Sequence, residues 1–193
     1  MKLYNYGMIV GRFQMLHNGH RRMIDTALEL CEKVVIYIGS SQVSRTERNP
    51  FTYKERADMI EKVINTYVEN PQRVIIRPLP DIGVGNNDIW GRYILGLFEG
   101  EFNTQPNLYI TGYENIRSSW FNSDIAPNLN ELILSKGVLN VSASKCRKYL
   151  LDNNQEGWQQ LVPSPLHPNY EYYKQIIQEI DVIDQVMVAR NIV

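Results

Sequence analysis

The chain is short of the residues that announce a chemistry by themselves. Only two of its 193 residues are cysteine, Cys31 and Cys146. That excludes a disulfide framework and a cysteine-rich zinc site, and nothing in the sequence supports a disulfide between the two. Cys31 closes an apolar helical pattern and reads as core. Charge of one sign is also missing: 20 Lys and Arg against 21 Asp and Glu leave a net charge of −1. No strong field therefore points to nucleic acid or to a membrane surface. No apolar run is long enough to span a bilayer. The N-terminal run is too short for a signal peptide, so a cytoplasmic location is expected. The sequon at Asn140 is then a chance match. Neither G-x-G-x-x-G after the first strand nor G-x-x-x-x-G-K-[ST] occurs, which excludes the two commonest phosphate loops. There is no internal repeat and no low-complexity segment.

What is present alternates between strand and helix. Tyr6–Val10, Lys33–Gly39, Arg73–Arg77 and Asn107–Thr111 read as buried strands ending in Gly or polar loops. Between them lie helical patterns over His20–Glu32, from Thr52 to Val68 and from Asp88 to Phe98. Thr52 and Glu55 form a capping box, and Asp88 is a candidate cap for the third helix. The stretch Asn122–Gly137 is ambiguous. Leu139–Val141 reads as a short strand, followed by a helix capped by Ser142 or Ser144 and running to Leu151. A terminal helix from Asn169 to about Val188 carries Tyr173, Ile176, Ile177, Ile180 and Ile183 on one face.

This alternation predicts an α/β fold, a parallel sheet with helices on both faces. The length fits one domain over 1–193, with a core over about 1–152 and a C-terminal helical segment over about 153–193. In such sheets ligands bind beyond the carboxyl ends of the strands.

Two constellations stand out. Gly11–His20 (GRFQMLHNGH) puts a glycine, an arginine and two histidines between a strand and a helix. A His-x-x-His pair could bind zinc, but no third ligand is visible, and two solvated loop histidines are the plainer alternative. At a strand-to-helix junction the set suits phosphate instead, because helix N-termini attract anions and glycine allows close approach. Later, Val141–Arg147 (VSASKCR) places hydroxyls, a lysine and an arginine at a helix start. That is either an ordinary capped helix or a second phosphate clamp.

Together the two motifs resemble the nucleotidyltransferase superfamily, which carries H-x-G-H and I-S-S-T-x-x-R motifs. The archaeal-type nicotinamide mononucleotide adenylyltransferases are the nearer likeness. Their G-R-F-Q-P-x-H-x-G-H compares with Gly11–His20. Their G-S-x-Q-x-S loop compares with Gly39–Ser44, running on to Pro50-Phe51-Thr52 and Glu55-Arg56. Their P-x-x-D-I…N-x-x-W compares with Pro78, Asp81, Ile82, Asn87 and Trp90. The resemblance covers about Tyr6–Leu161. Met15 replaces the family's proline and Ala143 its second hydroxyl residue. The loop from Asp81 to Trp90 is longer, and Glu99–Gly137 matches poorly.

The resemblance implies a Rossmann-like fold of the nucleotidyltransferase type and adenylyl transfer from ATP to nicotinamide mononucleotide, with Mg²⁺ held mainly by the phosphates. It implies that His17, His20, Arg12 and Arg147 act on the phosphates. Gly11, Phe13, Gln14, Gly19, Gly112, Ser142, Ser144 and Lys145 are implied to bind ATP, with Glu114 bordering the adenosine. Ser40, Asp81, Asn87 and Trp90 are implied to hold the acceptor. It further implies no nucleic-acid partner, no membrane and assembly into a homo-oligomer. Other acceptors used by relatives (nicotinate mononucleotide, phosphopantetheine), a CTP-using reaction and a non-catalytic nucleotide-binding regulator stand as alternatives.

Overall fold

The computed structural model describes residues 1–83, 85–112, 120–134 and 141–190, with side chains to Val182. Five strands form one parallel sheet: β1 (Tyr4–Gly11), β2 (Cys31–Gly39), β3 (Val74–Leu79), β4 (Leu108–Gly112) and β5 (Asn130–Leu134). Their order is β3-β2-β1-β4-β5. Helix α1 (Asn18–Leu30) links β1 to β2, α2 (Tyr53–Tyr67) links β2 to β3, and α3 (Asn87–Phe102) links β3 to β4. Beyond β5 follow α4 (Ala143–Leu151), α5 (Gln155–Leu161) and α6 (Tyr170–Arg190).

The strand side chains alternate between two cores, as period-2 geometry requires. Ile9, Val34, Ile36, Ile38, Leu108 and Ile110 face α1, α2 and the C-terminal helices. Met8, Val10, Val35, Tyr37 and Tyr109 face the other way, onto Ile94, Leu95 and Phe98 of α3. Helices therefore cover both faces. The order reverses between β1 and β4, and the crevice at that switch is where such sheets bind ligands.

Several boundaries differ from expectation. Cys31 is the first residue of β2 and not the tail of a helix, because α1 runs into the strand without a loop. It is buried, as expected, and both cysteines are free thiols. Asn86, not Asp88, caps α3: its Oδ1 accepts from the Asp88 and Ile89 N–H groups at 2.9 and 3.1 Å. The fifth strand lies within the ambiguous stretch, at Asn130–Leu134, paired with β4. Of the strand expected at Leu139–Val141, residues 139 and 140 lie outside the described residues, as does the Asn140 sequon, and Val141 is in no strand. Ser142 is the α4 cap, accepting from the Lys145 N–H at 3.2 Å.

The C-terminal segment is built into the core. Trp158, Tyr170, Tyr173, Ile176, Ile177 and Ile180 are buried in the same cluster as Ile9 and Ile36. Ile183, expected on that face, lies outside the described side chains.

Candidate active site

The histidine motif sits on the N-terminus of α1. His17 is the cap, and it forms a reciprocal box with His20. His20 N–H donates to His17 Nδ1 at 3.3 Å, and His17 N–H donates to His20 Nδ1 at 3.3 Å. The rings stack, with centroids 3.7 Å apart and planes 19° from parallel. An Nδ1 that accepts carries no proton, so each neutral ring has its N–H on Nε2. Both then present donors suited to phosphate oxygens, beside backbone N–H groups at a helix start.

Gly19 brings the late motif onto this one. A Cβ there would lie 3.1 Å from Cε1 and Nδ1 of His17 and 3.3 Å from Cγ1 of Val141, which leads into α4. Arg147, on α4, donates through Nη1 to the Gln14 carbonyl. Its Nη2 lies 3.4 Å from the Ser144 hydroxyl. Burial holds the Arg147 guanidinium below the ordinary arginine value. The fold thus joins His17, His20, Ser142, Ser144, Lys145 and Arg147 around adjacent helix starts. Gly112 ends β4 at the switch point, and among the described residues no atom lies within 4 Å of where its Cβ would be.

A separate cavity of about 480 Å³ opens beyond β1, β2 and β3. Ser40, Asp81, Asn87 and Trp90, the residues expected to hold the acceptor, all line it, together with Gly11 and Arg12. Trp120 shares its wall, edge-to-face with Trp90 at 5.8 Å between ring centroids. The approach depends on Gly91, whose Cβ would lie 1.8 Å from the Trp120 carbonyl oxygen.

Two residues expected to contact the nucleotide, Phe13 and Gln14, have side chains that brace the interior. Gln14 is buried. Its Nε2 donates to the Phe51 carbonyl at 2.9 Å and its Oε1 accepts from the Phe51 N–H at 2.8 Å, so its side chain is committed to the neighbouring loop. Phe13 is buried with its ring 4.6 Å from that of His20, which it supports from behind. Gln42 repeats the first device: its amide both donates to the Asp81 carbonyl and accepts from the Asp81 N–H, each at 3.1 Å. These amides fasten the loop after β2 to the turns that carry the site.

Met15, the departure from the family proline, is fully buried. The Gln14–Met15 peptide is cis. The Met15 thioether accepts from the Trp158 indole N–H at 3.3 Å, which fills the position with a contact from the C-terminal segment.

Four residues escaped the sequence reading. Arg48 and Asn49 line the cavity, and the buried Asn49 Oδ1 has no partner among the described residues. Trp120 was hidden in a stretch without a usable pattern. Arg56, read only as part of a motif, is wholly buried beneath the site. Glu114, expected at the adenosine, lies outside the described residues.

Comparison with known proteins gives this arrangement a class. The Cytidylyltransferase-like family model matches residues 8–132, which makes the chain a nucleotidyltransferase of that family. Curated relatives narrow it. The Thermococcus kodakarensis nicotinamide-nucleotide adenylyltransferase is 30% identical, with 96% of this chain and 89% of the relative covered. The enzyme of the same name from Saccharolobus solfataricus is 31% identical, with 88% and 90% covered. The chain belongs to the nicotinamide-nucleotide adenylyltransferases.

Solved structures agree on the fold. A bifunctional NMN adenylyltransferase/ADP-ribose pyrophosphatase from Francisella tularensis, complexed with AMP and a manganese ion, superposes with a TM-score of 0.74 at 21% identity. The match covers 96% of this chain but 54% of that one, so this chain spans about half its length. The Plasmodium falciparum nicotinic acid mononucleotide adenylyltransferase, complexed with NaAD, gives a TM-score of 0.63 at 13% identity. Among the described residues no helix is long and apolar enough to cross a membrane.

Proposed function

We propose that the protein transfers the adenylyl group of ATP to nicotinamide mononucleotide, giving NAD and pyrophosphate. An oxygen of the mononucleotide's 5′-phosphate attacks the α-phosphorus of ATP. The bond from that phosphorus to the bridging oxygen breaks, and pyrophosphate leaves with its electrons. The attacking phosphate is already ionised, so no nucleophilic side chain is needed. The protein's task is to hold two anions together and to stabilise charge on the leaving group.

The placement of the side chains supports one assignment of roles. His20 and His17 donate from Nε2 to ATP phosphate oxygens. Ser142, Ser144, Lys145 and the α4 N-terminus take the β- and γ-phosphates, with Arg147 above them. Arg12 lies between the histidine motif and the cavity, where it meets the acceptor's phosphate. Trp90 stacks on the nicotinamide ring, while Asp81 and Asn87 offer polar contacts to ring and ribose.

Among the described residues no three His, Cys, Asp or Glu side chains cluster as a metal site. Mg²⁺ bound with ATP would be held chiefly by phosphate oxygens, with few protein ligands. When bound, the ion supplies charge neutralisation on the triphosphate.

The single observation behind this reading is the meeting of the two phosphate motifs beside a cavity that ends in Trp90 and Arg12. The test is pyrophosphate release from ATP and Mg²⁺ with a panel of acceptors. Release with nicotinamide mononucleotide, with NAD as product, is expected. Release only with another acceptor, or only from CTP, would overturn it. ATP binding with no release on any acceptor would point to a regulator.

A further inference from the structure

The Arg56 side chain is fully buried, at 0% exposure, yet none of its described hydrogen-bond partners is a carboxylate. Nη1 donates to the carbonyls of Arg12 and Gly39, both at 2.7 Å. Nη2 donates to the Ser40 carbonyl at 3.1 Å and Nε to the Thr52 carbonyl at 3.2 Å. One guanidinium thus ties together the end of β1, the end of β2 and the cap of α2.

Two features make this more than a carbonyl clamp. First, the turns it holds are left-handed: φ is +52° at Phe13, directly after the Arg12 carbonyl, and +48° at Ser40. Non-glycine residues adopt such angles only when their surroundings impose them. Second, a buried cation whose direct hydrogen-bond partners are all neutral is costly, because proteins normally pair such a charge directly; Asp81 and Glu55 act on Arg56 through their fields alone. Here burial, and then the Arg12 charge, lower the Arg56 pKa to about 10. Neutral carbonyls offset only part of that cost. Yet Arg12, Gly39 and Ser40, whose backbone it grips, line the acceptor cavity. An anion there would lie one layer of backbone away from the guanidinium.

We propose that Arg56 is a positioning residue for the acceptor's phosphate: it imposes the turns after β1 and β2 and sets a fixed positive charge beneath the phosphate end of the cavity. This rests on the acceptor reading above. Arg56 touches no substrate. It acts through the backbone of Arg12 and Ser40 and through its field.

The test compares nicotinamide mononucleotide with nicotinamide riboside, which is the same ligand without the phosphate. Binding of each is measured by calorimetry without ATP, for the wild-type protein, Arg56→Gln and Arg56→Lys, alongside the thermal midpoint. Wild type is expected to prefer the mononucleotide. Arg56→Gln is expected to lose about tenfold in mononucleotide affinity while riboside affinity changes less than about twofold. Arg56→Lys keeps the charge but cannot reach every carbonyl. It is expected to lower the midpoint yet retain most of the preference.

A merely structural role predicts that both ligands weaken together, and that result would overturn the assignment. If Arg56→Gln does not fold, Arg56→Lys decides: mononucleotide and riboside affinities that fall together overturn the proposal. Wild-type protein that binds neither ligand would overturn the acceptor reading itself, and this assignment with it.

Discussion

His17 and His20 cap each other. Each Nδ1 accepts the other's backbone N–H at 3.3 Å, so the two rings are locked face to face at the start of α1. Fold and chemistry therefore depend on the same four atoms. The bonds that stabilise the helix also set which ring nitrogen carries the proton.

Capping and phosphate contact can be separated at His17. Asn is a good helix cap but offers no imidazole. His17→Asn is expected to keep the thermal midpoint near wild type while turnover falls at least about tenfold. His17→Ala is expected to lose the turnover and also about 1 kcal/mol of stability. Steady-state kinetics and thermal melts on both variants check this. His20→Ala is expected to lower turnover by about 10²-fold or more, at saturating ATP and mononucleotide.

Gly19 is constrained by the space between the two motifs. Gly→Ala within a helix ordinarily stabilises by about 1 kcal/mol. Here the added Cβ would press on the His17 ring at 3.1 Å and on Val141 at 3.3 Å. Gly19→Ala is expected to leave stability nearly unchanged and to lower turnover by about tenfold or more through a displaced ring.

Trp90 is expected to act on one substrate only. Its ring borders the cavity beside Trp120 and lies away from the histidine pair. Losing one aromatic stacking partner costs about 1 kcal/mol. Trp90→Ala should therefore raise the mononucleotide KM about five- to tenfold and leave the ATP KM unchanged. Equal changes in both constants would contradict the division of the site.

Glu55 ties the loop after β2 to α6. It accepts from Arg45 at 2.6 and 2.8 Å, from the Tyr172 hydroxyl at 2.6 Å and from the Thr52 N–H at 2.7 Å. Burial alone would raise its carboxyl, but these bonds outweigh it and hold the pKa at about 2, against an ordinary 4.5. A lowered carboxylate pKa means the stabilisation is complete above about pH 4.5 and drains away as pH falls towards about 2. Acid unfolding of the wild-type protein should show that loss. Glu55→Gln should start less stable at pH 7 and show a flatter profile over the same window.

Much of the architecture was legible because buried parallel strands are uninterrupted apolar runs. YGMIV and VVIYIG could hardly be anything else, and the Thr52–Glu55 box is where the pattern predicts it. The fifth strand was not legible. NELIL has no buried face of its own, since none of its residues is buried. The Asn86 cap was missed because three residues in a row can cap, and only geometry chooses among Asn86, Asn87 and Asp88.

At the site, Arg12, Ser40, Asp81, Asn87 and Trp90 were readable from their motifs, but Arg48, Asn49 and Trp120 of the same cavity and the braces were not. Gln14 belongs to the phosphate motif by sequence and to the Phe51 backbone by structure. Arg56 looks like a surface residue in a helical pattern, and nothing in its neighbours' identities reveals that it serves four carbonyls. Met15 became intelligible only with Trp158, which is 143 residues away in sequence.

The most direct test of the central claim follows the α-phosphorus. ATP labelled there is incubated with the wild-type protein, Mg²⁺ and nicotinamide mononucleotide, and the products are separated. The account predicts the label in NAD, none in pyrophosphate and none bound to protein. Label on the protein, or in any nucleotide product other than NAD, would contradict it.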